Sequence, residues 1–284
     1  MMLVVESGST KADWLLYDGH QVKGPFHTIG LNPIFHNSEN VVAELEKSSE
    51  LTAIKDHVTS VHFFGAGCSS RELCEIIAKG LRIFFSNAGV NVDHDLLASA
   101  LATCGDEPGI ACIIGTGSNS CWFDGKALHE RNYGLGYILG DEGSGSYFGK
   151  KLLTAFLYGL MPQDLHQQFL ATYRLDKHKI IDKVYKEPGA NVWLASFTRF
   201  LTANYNHEYI RKMIHSGMRE FCELYVCGYT GYRDVKVHFV GSLASLFRIE
   251  LEQVAHELGF SLGKVIKQPI DELMNYFISQ ENNR

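Results

Sequence analysis

Apolar residues recur along this chain in two rhythms. Some form short continuous or alternating runs, and others form longer stretches with a 3.6-residue period. Residues 2–6 and 12–17 follow the first rhythm and read as strands joined by the turn Gly8-Ser9-Thr10-Lys11. A third strand is expected over 21–27, after the Asp18-Gly19 turn. Helical spacing covers 38–48, with Ser38 as its N-cap. A strand over 59–64 leads into Gly65-Ala66-Gly67, and Ser69 or Ser70 then caps a helix reaching residue 85. Residues 95–102 read as a short helix rich in small residues. The run 110–114 is almost wholly apolar, as in a strand buried on both faces. Beyond it the period is helical over 141–160 and over most of 163–229, where Ile210, Ile214, Met218 and Phe221 share one face. Val235, Val237 and Phe239 alternate with polar residues and end at Gly241-Ser242. A helix to 258, a strand over 262–266 and a last helix opened by Pro269 complete the pattern.

The pattern starts over near residue 110. Ile114-Gly115-Thr116-Gly117-Ser118 runs on to Phe123-Asp124-Gly125, as Gly8-Ser9-Thr10-Lys11 runs on to Tyr17-Asp18-Gly19. A shift of 106 positions places Thr10 on Thr116 and Asp18 on Asp124. Strands interleaved with helices predict an α/β architecture, and the repeat predicts two related lobes. The boundary is expected in the turn-rich stretch Gly105-Asp106-Glu107-Pro108-Gly109. That gives an N-terminal lobe over 1–107 and a C-terminal lobe over 108–268 with a helical insertion. The last helix, 269–284, would pack back on the first lobe.

Composition narrows the class. The 284 residues are 45% hydrophobic and 20% charged, enough for a sizeable core and unlike a disordered chain. A net charge of −6 without a basic run speaks against a nucleic-acid or anionic-membrane surface. Anionic ligands must then be held by local N–H groups, a magnesium ion and a few cations. The seven cysteines contain no C-x-x-C and read as reduced thiols of a cytoplasmic protein. Neither a signal peptide nor a membrane span is expected.

Glycine lets a backbone approach an anion closely, and successive N–H groups in a turn make an anion nest. Two such turns predict a clamp around one polyphosphate. Ser9, Thr10, Thr116 and Ser118 offer hydroxyls to it, and Lys11 offers a charge. Glu6, at a strand end before the first turn, reads either as a magnesium ligand acting through water or as a solvent-facing carboxylate. In Gly140-Asp141-Glu142-Gly143-Ser144-Gly145-Ser146, Asp141 reads by spacing as a helix N-cap, with sugar hydroxyls as its alternative partner. Asp95, or the neighbouring Asp93, stands at a helix start and reads as a cap or as a general base. Gly241-Ser242 joins a strand to a helix, where an adenosine or a phosphate would fit.

Together, Gly8-Ser9-Thr10-Lys11, Gly115-Thr116-Gly117-Ser118-Asn119, Gly140-Asp141-Glu142-Gly143-Ser144 and Gly241-Ser242 resemble the actin-like sugar kinase and heat-shock chaperone ATPase superfamily. They are most similar to its BadF/BadG/BcrA/BcrD-type and N-acetylglucosamine kinase branch. The resemblance implies two ribonuclease-H-like lobes with ATP and magnesium in the cleft between them. It implies that Gly8, Ser9, Thr10 and Lys11, and Gly115, Thr116, Gly117 and Ser118, hold the phosphates, with Gly241 and Ser242 at the adenosine. It also implies that Asp95 is the catalytic carboxylate and that Asn32, Asn119 and Asp141 contact the sugar. Three departures stand out: Glu6 where Asp is usual, a one-residue gap near Asp95, and a last helix without a Gly-Ala face. The expected activity is a carbohydrate kinase, phosphorylating N-acetylglucosamine at its 6-hydroxyl. The same resemblance leaves open an activating ATPase of a radical dehydratase, a non-catalytic sugar sensor, and a homodimer.

Overall fold

Each repeat of the hydrophobic pattern builds a sheet, and the two sheets have the same strand order. In the computed structural model, which describes residues 1–8, 11–131 and 134–282, the first sheet contains β1 (Met2–Ser7), β2 (Lys11–Tyr17), β3 (Val22–Ile29), β4 (Ser60–Gly65) and β5 (Gly89–His94). Their order is β3-β2-β1-β4-β5. The second contains β6 (Gly109–Ile114), β7 (Ser118–Phe123), β8 (Leu128–His129), β9 (Lys236–Val240) and β10 (Ser261–Ile266), in the order β8-β7-β6-β9-β10. In both, the first three strands meander antiparallel and the last two add in parallel. Parallel addition needs a crossover, and helices supply it.

The chain divides into two compact units, Met1–Asp106 with Gln268–Arg284, and Glu107–Lys267. The first unit holds α1 (Ser38–Leu45), α2 (Ser49–Ile54), α3 (Arg71–Phe84) and α4 (Asp95–Cys104). Leu3, Val5, Trp14, Val61 and Phe63 from the sheet pack with Ile77, Leu81 and Phe85 in its core. Trp14 lies edge-on to Phe63 at 6.2 Å and donates its indole N–H to Thr28 Oγ1 at 3.1 Å, so its one polar atom is satisfied. The second unit inserts α5 (Gly136–Leu139), α6 (Gly145–Leu157), α7 (Gln163–Tyr173), α8 (Lys177–Tyr185), α9 (Ala190–Ala195), α10 (Thr198–Ala203) and α11 (Glu208–Tyr225) between β8 and β9. Then follow α12 (Ser242–Leu246) and α13 (Arg248–Leu258), while α14 (Ile270–Asn282) packs on α4, β1 and β2 of the first unit. Gly149 brings α6 against the backbone of α9, where any side chain would strike the Leu194 carbonyl. Among the described residues no helix is long and apolar enough to cross a membrane.

Several sequence expectations are corrected. Asn37, not Ser38, caps α1; its side chain accepts from Asn40 N at 2.8 Å, and Asn40 Oδ1 accepts from Asn37 N. Strand β5 is absent from the sequence reading. Of the two caps expected for α3, Ser70 is the one used, its side chain accepting from Leu73 N at 3.3 Å. The helix expected to run from Gly241-Ser242 to residue 258 breaks at Phe247 into α12 and α13. Asp141 caps nothing: Ser144 is the N-cap of α6, accepting from Tyr147 N at 3.2 Å.

Candidate active site

In the first unit the candidate residues gather at the C-terminal ends of β1 and β4. Glu6 and Asp13 are partners across the β1–β2 ladder. Asp13 is buried and takes Lys11 Nζ at 2.8 Å and His27 Nδ1 at 2.6 Å on one oxygen. Gln268 donates to its other oxygen at 3.4 Å. Asp95 starts α4 one residue after β5 ends. Burial pushes the Glu6 carboxyl up to about 7, and the charges of Asp13 and then Asp95 push the same way, with Lys11 opposing them. Three carboxylates therefore feel one another here. Among the described residues no group of three or more His, Cys, Asp or Glu side chains forms a metal-binding cluster.

Ser7 ties this end of the sheet together. It is 1% exposed. Its hydroxyl accepts from Leu31 N at 2.9 Å, and its carbonyl accepts from Ala66 N at 2.8 Å. The first link fixes the segment leading to Asn32, which is itself buried, with Oδ1 accepting from Ile34 N at 2.9 Å. The second link fixes Gly65-Ala66-Gly67 against it. Gly67 has φ +84°, and a Cβ there would lie 2.9 Å from Asn32 Nδ2. Only glycine fits both the backbone and the amide. Gly8 N donates to Lys11 O at 3.0 Å, closing the first turn. Ser9 and Thr10 lie outside the described residues.

In the second unit three segments meet at the end of β6. The turn Gly115-Thr116-Gly117 closes through Gly115 N to Gly117 O at 2.9 Å. The first two amides of α6 reach back to it: Gly145 N to Gly115 O at 2.8 Å and Ser146 N to Thr116 O at 3.0 Å. Asp141 stands in the left-handed region, φ 60°, and accepts from Ser118 N at 3.3 Å. A Cβ on Gly117 would lie 2.9 Å from Asp141 Oδ2, so the carboxylate lies against the turn. Burial raises the Asp141 carboxyl, opposed by the Ser118 amide and by Lys150. Gly241 completes the edge: at φ 130° it sits so close to the Ile114 carbonyl that a side chain would collide.

The geometry sorts the sequence candidates. Glu6, Gly8, Lys11, Asn32 and Asp95 belong to the first unit, and Gly115 to Ser118, Asn119, Asp141, Gly241 and Ser242 to the second. Thr116 and Ser242 are exposed. The Ser118 hydroxyl donates to Glu142 O at 2.7 Å and its amide to Asp141 Oδ1 at 3.3 Å. Both of its donors brace the acidic loop. Asn119 Oδ1 accepts from Ser120 N at 2.9 Å. Asp13 and Ser7 are missing from the sequence reading. Asp13 carried a signal, a second carboxylate on the hairpin opposite Glu6; Ser7 carried none.

No family model matches the chain, and no curated protein matches it. Among solved structures, a "putative N-acetylglucosamine kinase" from Porphyromonas gingivalis is 35% identical, covers 99% of this chain and 100% of its own, and superposes with a TM-score of 0.92. Another protein so described, from Chromobacterium violaceum, is 16% identical over 97% of this chain and 98% of its own, with a TM-score of 0.72. A ROK family glucokinase from Streptomyces griseus, solved with glucose and AMPPNP, shares the fold at 12% identity over 96% and 98%, with a TM-score of 0.56. The full-length likeness to the Porphyromonas protein places this chain in the same family, the carbohydrate kinases of two-lobed actin-like fold.

Proposed function

We propose that this kinase transfers the γ-phosphoryl group of ATP to an amino sugar, N-acetylglucosamine at its 6-hydroxyl, as a BadF/BadG/BcrA/BcrD-type member. The observation that carries the reading is Asp95 at the first turn of α4, within electrostatic reach of the strand-end Glu6. Asp95 takes the proton from the sugar hydroxyl while that oxygen bonds to the γ-phosphorus and the bond to the ADP oxygen breaks. Backbone amides of the turns over 8–11 and 115–117 receive the phosphates, with Lys11 and the Thr10 and Thr116 hydroxyls beside them. Gly241 and Ser242 face the adenosine. Asn32, Asn119 and Asp141 hold the sugar, and Ser118 keeps Asp141 in place.

Magnesium fits the donors of the first unit. They are hard carboxylate oxygens, and a cation would offset both the burial that chiefly raises Glu6 and the charges of Asp13 and Asp95 that add to it. Glu6 would hold the ion, most of whose other ligands are water and phosphate, and the ion would neutralise charge on the transferring group. A coupled ADP-release assay over a panel of hexoses and amino sugars tests the substrate. Turnover with N-acetylglucosamine well above that with glucose, N-acetylmannosamine and sugar-free ATP is expected. Equal turnover with every hexose rejects the amino-sugar assignment.

A further inference from the structure

In the first unit, strand β4 leads into helix α3 through a corner over 65–70, and two thiols meet there. Cys68 is 1% exposed. Cys74, on the first turn of α3, is half-buried. Its Sγ donates to Cys68 O at 3.4 Å, and the two thiols hydrogen-bond to one another. Both line a cavity of about 520 Å3, together with Arg71, Glu75 and Asp93. Cys222 and Cys227 are also close to one another, but Cys222 is wholly buried.

The corner is tied to the candidate sugar contact. Cys68 N donates to Gly65 O at 3.2 Å, and Ala66 N to Ser7 O at 2.8 Å. Cys68 Sγ fills the space beside Gly65, 3.2 Å from where a Cβ would stand, and Gly67 lies against the Asn32 amide with no room for a Cβ. Joining the two sulfurs shortens their hydrogen-bond contact to a bond of about 2.05 Å, so one side has to move. The start of α3 resists, because Ser70 accepts from Leu73 N at 3.3 Å through its side chain and from Cys74 N at 2.9 Å through its carbonyl. The corner yields first, and Gly67 moves with it.

We propose that Cys68 and Cys74 form an oxidation site, closed to a disulfide by a hydroperoxide, and that the disulfide weakens sugar binding by drawing Gly67 away from Asn32. The second half rests on Asn32 as a sugar contact, and the first does not. Cys74, the accessible thiol, reacts first. Its sulfur takes one peroxide oxygen, the O–O bond breaks, and an alcohol leaves, or water from hydrogen peroxide. The Cys68 sulfur then bonds to that of the Cys74 sulfenic acid, whose oxygen leaves as water with the Cys68 proton. The thiols lose two electrons and two protons, and no oxidant has to reach Cys68. Burial, then Cys74 and Asp95, push the Cys68 thiol up to about 12, and burial followed by Asp93 raises that of Cys74. These surroundings slow the first step, which needs a thiolate. They do not oppose the product, because a disulfide carries no charge.

Hydrogen peroxide tests the site on the full chain, at about pH 8.5 where an ordinary thiol is half ionised. Free thiols are then alkylated and the peptides mapped by mass. A Cys68–Cys74 link that dithiothreitol removes is expected. The linked protein should show a sugar KM raised about tenfold, the worth of one hydrogen bond, and reduction should restore it. Cys74→Ser should keep the wild-type KM and lose the response to peroxide. A link between Cys222 and Cys227 instead, or sulfinic acid at Cys74 with no link, overturns the proposal. Linked protein with unchanged sugar KM overturns the effect on binding. Asn32→Ala in the reduced protein then tells two failures apart. A raised KM there faults the coupling through Gly67, and an unchanged KM faults Asn32 as the sugar contact.

Discussion

The two sheets share strand order and direction, yet they finish their first strands differently. In the first unit Glu6, one residue before the end of β1, stands opposite Asp13, and four residues, 8–11, separate the last paired positions of the hairpin. In the second, Ile113 stands opposite Asn119, and three residues, 115–117, make the turn. Charge faces charge in one, and an apolar residue faces an amide in the other. The second unit takes its carboxylate from elsewhere: Asp141 arrives on a loop and lies against Gly117. The fourth strands repeat Val-His-Phe in both units, as Val61-His62-Phe63 and Val237-His238-Phe239. His62 stacks on Phe277 at 4.0 Å, whereas His238 accepts from Lys264 N at 3.0 Å. A duplicated frame thus carries unequal chemistry, with crowded carboxylates in one copy and a hydrogen-bonded loop in the other.

If that division is functional, removing charge from the first unit should strike turnover. Asp95→Asn is expected to lower kcat about 10³-fold in the ADP-release assay with little change in sugar KM, the size of a lost general base. Near wild-type kcat would remove Asp95 from the chemistry and leave the acidic cluster without its assigned role.

A second contrast concerns the glycines. Gly241 combines φ 130° with a backbone carbonyl where a side chain would go, while a Cβ on Gly8 meets only Lys11 O at 3.6 Å, an ordinary contact. Gly241→Ala should cost about 2–3 kcal/mol, and Gly8→Ala less than about 1 kcal/mol. Urea unfolding measures both, and equal losses would erase the distinction between a packed strand end and an open turn.

These differences show what a linear reading could reach. The hairpins were legible because apolar runs flank glycine turns at matching distances. Strand β5 was not, because Val90 and Val92 are its only apolar residues and it lies at the sheet edge. Asp141 looked like a cap because an acidic residue before a helical period usually is one. Its left-handed backbone and its bond to Ser118 depend on a segment 23 positions away. Asp13 and Gln268 meet only in three dimensions, across 255 positions.

The buried titratable groups give the units opposite responses to pH. In the metal-free protein Glu6 holds its proton up to about 7, against an ordinary 4.5. Between those values the folded state binds a proton that the unfolded chain has released. The stability from this group is therefore full below 4.5 and is lost as pH rises through 7, by up to about 3 kcal/mol. His238 is pushed down to about 4 from 6.5, by burial first and then by Lys264 and Lys236. Its contribution is present above 6.5 and is lost as pH falls through 4. Urea unfolding over a pH series should show Glu6→Gln flattening the neutral side of the profile and His238→Gln the acid side. A Glu6→Gln profile parallel to wild type would mean that the carboxylates do not crowd one another.

The smallest expected effect separates holding from reacting. In Asp141→Asn the amide oxygen can still accept from Ser118 N, and asparagine tolerates the left-handed backbone better than most residues. The loop should keep its shape. What disappears is a charged acceptor for sugar hydroxyls, worth about tenfold in KM. A variant with raised sugar KM and nearly unchanged kcat places this carboxylate in binding. A kcat loss as deep as that of Asp95→Asn, with KM unchanged, would put reacting charge in both copies and end the asymmetry between them.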